Sequence, residues 1–271
     1  MTELGTALAW YLVFVLSVTC HEAAHAWTAK LGGDPTAYHG GQVTLDPLPH
    51  MRREPFGMVV LPLLTTLVTG WPIGFASAPY DLGWARRHRR RAALMALAGP
   101  VSNLLLALLA GVAIRLGLAS GSFTVPEFVE FGNVVAAAHG GPSLGTMLLG
   151  MFLAMNLLLF ALNILPLPPL DGSGVLPFFL GEELANRYSD AIANPAVSML
   201  GLVAAWFLIH RLFEPVFLWS INAVYVGITS YGRARALHAR IASVARQGVT
   251  TTPTAWVVLI PVPHEVCGFV R

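Results

Sequence analysis

The sequence predicts an all-α polytopic membrane protein, and three observations carry that prediction. The 16 Lys or Arg and 14 Asp or Glu amount to 11% of 271 residues, where a soluble domain carries about a quarter. With 55% hydrophobic residues and a mean hydropathy of +0.65, the chain has more apolar surface than one core of this size can hide from water. Apolar runs of about 20 residues also recur, the length that crosses roughly 30 Å of hydrocarbon. A free cytosolic enzyme is excluded on these grounds. Cys20 and Cys267 lie at opposite ends of the chain, which fits neither a disulfide scaffold nor a cysteine-rich zinc module. The net charge of +2 gives no argument for nucleic acid.

The first apolar run extends from about Leu4 to Ala29. It has no basic n-region or small-residue cleavage site, and it contains Cys20-His21-Glu22, so it is not read as a signal peptide. A second stretch, Phe56 to Ala78, is interrupted by Pro62, Gly70, Pro72 and Gly74. Cleaner runs follow at Ala92 to Ala119, Leu144 to about Leu167 and Val197 to Leu212, with another at Val216 to Tyr231 after Glu214-Pro215. The expectation is five or six apolar passes. Gly40 to Leu48 alternates polar and apolar residues with β-branched members, which predicts a short strand pair near the membrane edge. The connection from Ser120 to Pro142 reads as a loop whose amphipathic segment (Phe128, Phe131, Val134, Val135) lies on the surface. No connection is long enough for an independent soluble domain. The tail from Arg233 is more polar; Trp256 to Val262 has no assigned role, and His264-Glu265 lacks a partner histidine.

Polar residues inside apolar runs are costly and therefore informative. His21-Glu22-Ala23-Ala24-His25 places two imidazoles one turn apart on one helix face, as a shared Zn2+ requires, with Glu22 beside them to accept a proton. The alternative is a helix end at the headgroups with two satisfied histidines. A hydrolytic zinc takes three protein ligands. Among the 14 acids, only Glu22 and Asp171 have long apolar sequence on both sides. Asp171 follows Asn163-Ile164-Leu165-Pro166-Leu167-Pro168-Pro169-Leu170, where a helix must unwind near the membrane, and irregular backbone at that depth belongs where it lines a cavity. The competing reading is a proline-rich helix stop with an Asp-Gly turn. Asn163 fits either a donor to a developing oxyanion or an ordinary interhelical hydrogen bond. Gly99-Pro100 reads as a place of close helix approach with a proline kink.

The topology can be checked against charge. His21, His25 and Asp171 all lie toward the C-terminal ends of their runs, so a shared metal makes those helices parallel. An even number of crossings must then separate them, which requires Phe56 to Ala78 to be re-entrant. The same assignment puts Arg52, Arg53 and the cluster Arg86 to Arg91 on one side with the metal, the cytoplasmic side by the positive-inside rule.

Three motifs in this order, His21 to His25, Ala98-Gly99-Pro100-Val101-Ser102-Asn103, and Asn163 through Leu170-Asp171-Gly172, resemble the site-2 protease family of intramembrane zinc metalloproteases, in its compact group without a PDZ domain. Thr44-Leu45-Asp46-Pro47-Leu48 is similar to that family's membrane-associated sheet. Asp46 departs from the usual Asn there, and Arg53-Glu54-Pro55 departs from the acidic-Pro pair after His50, which puts a substrate-guiding role of His50 in doubt. The resemblance covers roughly residues 4 to 180 and implies a three-helix catalytic core (about 4–30, 92–119 and 143–170). It also implies one Zn2+ per chain on His21, His25 and Asp171, and Glu22 as general base. A membrane metalloprotease domain over 1–232 and a cytoplasmic-type tail over 233–271 follow. The expected partners are the lipid bilayer and a membrane protein whose transmembrane segment is cut, with no nucleic acid. The expected location is the cell membrane, with the active site toward the cytoplasm. An extended substrate would be captured on a strand at Gly41 to Leu45. A metal transporter and an inactive relative acting as a scaffold are the rival classes.

Overall fold

The structure is a computed structural model that describes residues 3–126, 129–138 and 143–226. The expectations for Phe128, the end of the Val216 run, the tail 233–271, Trp256 to Val262 and His264-Glu265 lie outside the described residues. Three helices are each long and apolar enough to cross a membrane: α1 (Glu3–Leu31), α6 (Arg89–Ala119) and α7 (Leu144–Asn163). Short helices α2 (Thr36–His39), α3 (Pro47–Arg53), α4 (Leu61–Thr69, entered through a π-helical turn at Phe56–Val60) and α5 (Leu82–Arg87) fill the sequence between the first two spans. After α7 come α8 (Asp171–Val175), a 3-10 turn at Leu176–Phe178, α9 (Glu182–Ile192) and α10 (Pro195–Tyr225). The helix α9 meets α10 at 83°, and the pair counts as a possible fourth span. Among the described residues there are three or four such spans where five or six apolar passes are expected, because Glu214-Pro215 does not end a helix. Helix α10 continues through Pro215, whose ring costs one backbone hydrogen bond without stopping a helix held by neighbours on its apolar face.

Cross-links between elements set the directions of the spans. The start of α6 is tied to the end of α1, since Arg91 Nη1 and Trp84 Nε1 both donate to Gly32 O at 3.0 Å. The end of α7 leads to Asp171, which meets His21 near the end of α1. So α1 and α7 run parallel, with α6 antiparallel between them. At the far end of the bundle, Arg115 Nη1 donates to Ala223 O at 3.0 Å, a cation at the C-terminal dipole of α10.

The segment Phe56 to Tyr80 is re-entrant. Gly70 ends α4 with a left-handed φ of 76°, a conformation glycine adopts without a Cβ penalty. The chain then returns extended: Ile73 N donates to Thr65 Oγ1 at 2.8 Å, and Phe75 N donates to Gly57 O at 3.0 Å. Ser77 Oγ reaches Glu54 Oε1 at 2.6 Å, and Arg53 Nε reaches Ser77 O at 3.2 Å, so the segment comes back to the end it left. Asp34 fastens the same end. Its buried carboxylate accepts from Thr36 N and Oγ1 and from Asp81 N at 2.8 Å. Burial alone would raise its pKa, but these hydrogen bonds hold it below the ordinary range.

Two local expectations fail. Gly40 to Leu48 is not a strand pair: Asp46 N donates to Thr44 Oγ1, and Asp46 Oδ1 accepts from Leu48 N at 3.0 Å, capping α3 with Pro47 in its first position. Side-chain bonds to local backbone, plus prolines that lack an N–H, outcompete a ladder. The small sheet sits instead in the later connection, where β1 (Phe123–Thr124) pairs antiparallel with β2 (Ala136–Ala137). That connection is not a surface segment either. Val134 and Val135 are buried, and the Phe131 ring packs 4.8 Å from Trp71, 5.4 Å from Phe213 and 5.7 Å from Phe217. The loop plugs the bundle because its aromatic face has three elements to cover.

A membrane-impermeant maleimide applied to sealed vesicles tests this topology, using single-cysteine variants in a background without Cys20 and Cys267. Arg53→Cys, Ser77→Cys and Arg90→Cys should label from one face, and Ser122→Cys from the other. Labelling of positions 53 and 77 from opposite faces would overturn the re-entrant assignment.

Candidate metal centre and active site

Two helical stripes with a four-residue spacing face each other. Ser17, His21 and His25 form one face of α1, and Met95, Gly99 and Asn103 form one face of the oppositely directed α6. His25 Nδ1 donates to Met95 O at 2.7 Å, and His21 Nδ1 donates to Asn103 Oδ1 at 2.5 Å. A backbone or amide oxygen only accepts, so each imidazole carries its proton on Nδ1 and presents a lone pair at Nε2.

Asp171 reaches these atoms because α7 stops early. The expected core helix to about residue 170 ends at Asn163, and residues 164–170, with Pro166, Pro168 and Pro169, follow as turns. Leu170 is extended, and Asp171 opens α8. A Cβ on Gly172 would collide with the carbonyl oxygens of Ile164 and Leu165, so only glycine lets the chain fold back this closely onto the end of α7. Asp171 Oδ2 then lies 2.9 Å from His21 Nε2 and Oδ1 lies 3.3 Å from His25 Nε2, while the two Nε2 atoms are 3.0 Å apart.

Converging lone pairs of this kind require a positive charge between them, and a proton satisfies only one pair at a time. Two imidazole nitrogens and one carboxylate are the donor set of a catalytic zinc with one position left open. The three ligand atoms lie within 4.8 Å of one another, and no other group of three His, Cys, Asp or Glu qualifies among the described residues. The space facing them is kept by Gly99, where a Cβ would collide with Nε2 of both histidines. Gly99 thus lies at the site itself, beyond the helix-packing role expected for it. Glu22 is 4% exposed, and its Oε2 has no hydrogen-bond partner among the described residues. A buried carboxylate oxygen in that state needs a proton donor or a cation nearby.

Four of the five residues singled out from the sequence fall in this region: His21, His25 and Asp171 meet, and Glu22 is next to His21 on the buried helix. Asn163 has no hydrogen bond to the cluster among the described residues. It ends α7, and its Nδ2 donates to Leu159 O one turn back at 3.0 Å. His50 is buried on α3 with Nε2 donating to Thr44 O at 3.0 Å, while its Nδ1 is unpartnered among the described residues. Sequence reasoning missed the supporting groups Ser17 and Asn156 and gave Asn103, the last residue of the second motif, no role; all three are fully buried. Asn103 Nδ2 donates to Asn156 Oδ1 at 2.8 Å, and Asn156 Nδ2 donates to Ser17 Oγ at 2.9 Å. Each is a polar side chain in an apolar run, and Ser17 and Asn103 continue the two stripes, which is the signal that would have found them.

Known proteins are similar in sequence to this chain. The family model of peptidase family M50 matches residues 9–208. The Bacillus subtilis protein named "Putative zinc metalloprotease YwhC" is 36% identical over 170 residues, 61% of this chain and 67% of its own length. Proteins named "Putative zinc metalloprotease Rip2" are 30% identical over 249 residues in Mycolicibacterium smegmatis and 31% identical over 241 residues in Mycobacterium tuberculosis. The first alignment covers 85% of this chain and 86% of the relative, and the second 79% and 83%. No solved structure matches the chain significantly. With most of its length matched by the family model and by a relative aligned almost end to end, the chain belongs to peptidase family M50, the site-2 protease family of zinc metalloproteases.

Proposed function

We propose that this protein is an intramembrane zinc endopeptidase that hydrolyses a peptide bond within or next to a transmembrane segment of a partner membrane protein. The observation that carries the proposal is the place of the His21, His25 and Asp171 cluster. Its histidines lie on one helix long enough to span a bilayer, packed against a second, and its aspartate opens the short helix that follows a third, so a bond cut there must be brought to the bundle within the membrane. The names of the relatives and the family support the chemistry. The arginines at the same end of the bundle support a cytoplasmic orientation in the cell membrane, since Arg91 is tied to Gly32, Arg86 to Asp190 and Arg53 to Ser77. Cleavage of a regulated membrane substrate is the physiological role this reading implies.

His21, His25 and Asp171 would hold the zinc. Bound there, zinc supplies Lewis acidity to the attacking water and the scissile carbonyl. Glu22 takes the proton from the attacking water as general base and passes it to the departing amide nitrogen, so the carbon–nitrogen bond breaks with that nitrogen leaving as a neutral amine. The Nδ1 hydrogen bonds to Met95 O and Asn103 Oδ1 keep the two imidazoles from rotating. A transmembrane substrate hides its carbonyls in helical hydrogen bonds and must be unwound first. Gly41 to Leu45 has no strand geometry and has no part in this reading. Asn163 is given no step in this reading; its Nδ2 is engaged by its own helix.

Three substitutions test the assignment. Glu22→Gln should lower cleavage by about 10²- to 10⁴-fold while the purified protein keeps its zinc. Comparing membrane-protein fragments in cells carrying the active and Glu22→Gln forms should reveal substrates, and identical fragment sets would sink the proposal. Asp171→Ala should lose zinc as measured by metal analysis, and an unchanged zinc content would remove Asp171 from the ligand set. Gly99→Ala should fold, because its neighbours on α6 are unchanged, but should fail to take up zinc, since the methyl group occupies the space beside both Nε2 atoms.

A further inference from the structure

An asparagine amide can occupy a buried site in two orientations that differ only in which end is oxygen. At Asn103 the choice matters. With Oδ1 toward His21, the imidazole carries its proton on Nδ1 and offers Nε2 as a ligand. With the amide reversed, Nδ1 must accept, and the proton moves to Nε2, where it points at His25 and Asp171 and blocks coordination.

The structure decides between these orientations through a chain of buried contacts that begins at a backbone carbonyl. Asn156 Nδ2 lies 2.9 Å from Phe152 O, a group that only accepts, so that end of the Asn156 amide is the donor. The same nitrogen donates to Ser17 Oγ at 2.9 Å. Asn156 must therefore present Oδ1 to Asn103, where it accepts from Nδ2 at 2.8 Å. Asn103 in turn must present Oδ1 to His21 Nδ1. Ser17, Asn103 and Asn156 are each 0% exposed, so water does not stand in for a misaligned partner, and a reversed amide would set like ends against each other at both contacts.

We propose that Asn156 and Asn103 are positioning residues that form a relay selecting the Nδ1–H tautomer of His21, and so set the metal affinity of the centre. The relay spans α7, α6 and α1, so it also couples correct packing of the three helices to a competent ligand. This rests on His21 being a zinc ligand, as proposed above.

The test uses the full chain purified in detergent and two readouts. The first is the ¹⁵N NMR spectrum of histidine-labelled, metal-free protein, with His21 assigned by its loss in His21→Gln, at a pH high enough that the imidazoles are neutral. The second is zinc affinity by chelator competition. The unsubstituted protein should show the Nδ1–H tautomer at His21. Asn156→Leu leaves only the longer contact of Asn103 Nδ2 to Ser17 O, at 3.4 Å, to orient the amide, and should give a mixture of tautomers and weaker zinc binding. Asn103→Leu should lose the selection and bind zinc about 10- to 100-fold more weakly. Asn103→Asp keeps an acceptor oxygen toward His21 and should keep the Nδ1–H tautomer, while its second oxygen meets Asn156 Oδ1 and should lower the thermal stability. That retained tautomer is one that a purely space-filling role would not show.

The relay is overturned if His21 carries its proton on Nε2 in the unsubstituted metal-free protein, or if both leucine variants keep tautomer and affinity unchanged. Should the leucine variants not fold, the spectrum of the unsubstituted protein and of Asn103→Asp still decides. Absence of zinc binding by the unsubstituted protein would refute the ligand assignment instead, while the tautomer is read without metal and judges the relay separately.

Discussion

Four lone-pair-bearing atoms, Nε2 of His21 and His25 and the two carboxylate oxygens of Asp171, approach to between 2.9 and 3.3 Å inside a bundle of apolar helices. Like-polarity atoms do not hold that geometry in a low-dielectric interior unless positive charge sits among them. Much of the surrounding structure is arranged around this condition. The Nδ1 atoms are engaged so that Nε2 stays free, Gly99 contributes no Cβ where the ligand atoms converge, and the chain after α7 is unwound so that a carboxylate can enter from the side.

Bringing Asp171 there constrains the topology. Parallel α1 and α7 need one antiparallel span between them, and α6 supplies it. The apolar sequence between α1 and α6 must then return to its own end, which it does through a left-handed turn at Gly70 and an extended strand bonded back to Gly57 and Thr65. The amides of Ile73 and Phe75 in that return find acceptors within the segment, as backbone at membrane depth requires. The opposite end of the bundle is closed by apolar packing, with Phe131 from a loop filling the space among Trp71, Phe213 and Phe217.

The division between polar stripe and apolar surround links this architecture to proteolysis within a membrane. Ser17, Asn103 and Asn156 hold one another in a fully buried network, and such a network is stable only when every member has a partner. Glu22, beside the histidines, differs from its members: its Oε2 has no hydrogen-bond partner among the described residues, which is the condition of a group kept ready to take a proton. Supporting residues are rigidly satisfied, and the reactive one is left open.

How much of this was legible in the sequence depended on the range of the interaction. The three spans, the histidine pair one turn apart and the isolation of Glu22 and Asp171 among apolar residues follow from composition and helical period, which are properties of neighbouring residues. Parity of crossings extended that reading to the re-entrant segment. The small sheet was expected at Gly40 to Leu48, where alternation suggested strands, but Asp46 capping and the nearby prolines act at shorter range than pairing. Helix α10 runs through Pro215, and Phe131 is drawn inward, because neighbouring elements cover apolar faces that local sequence describes as ends or surface. The relay from Phe152 O to His21 joins residues up to 139 positions apart. Their types could be read one by one as polar groups in apolar runs. Which of them meet, and which end of each amide faces which partner, was decided only when three helices packed, because a hydrogen bond's direction is a property of the pair and not of either residue.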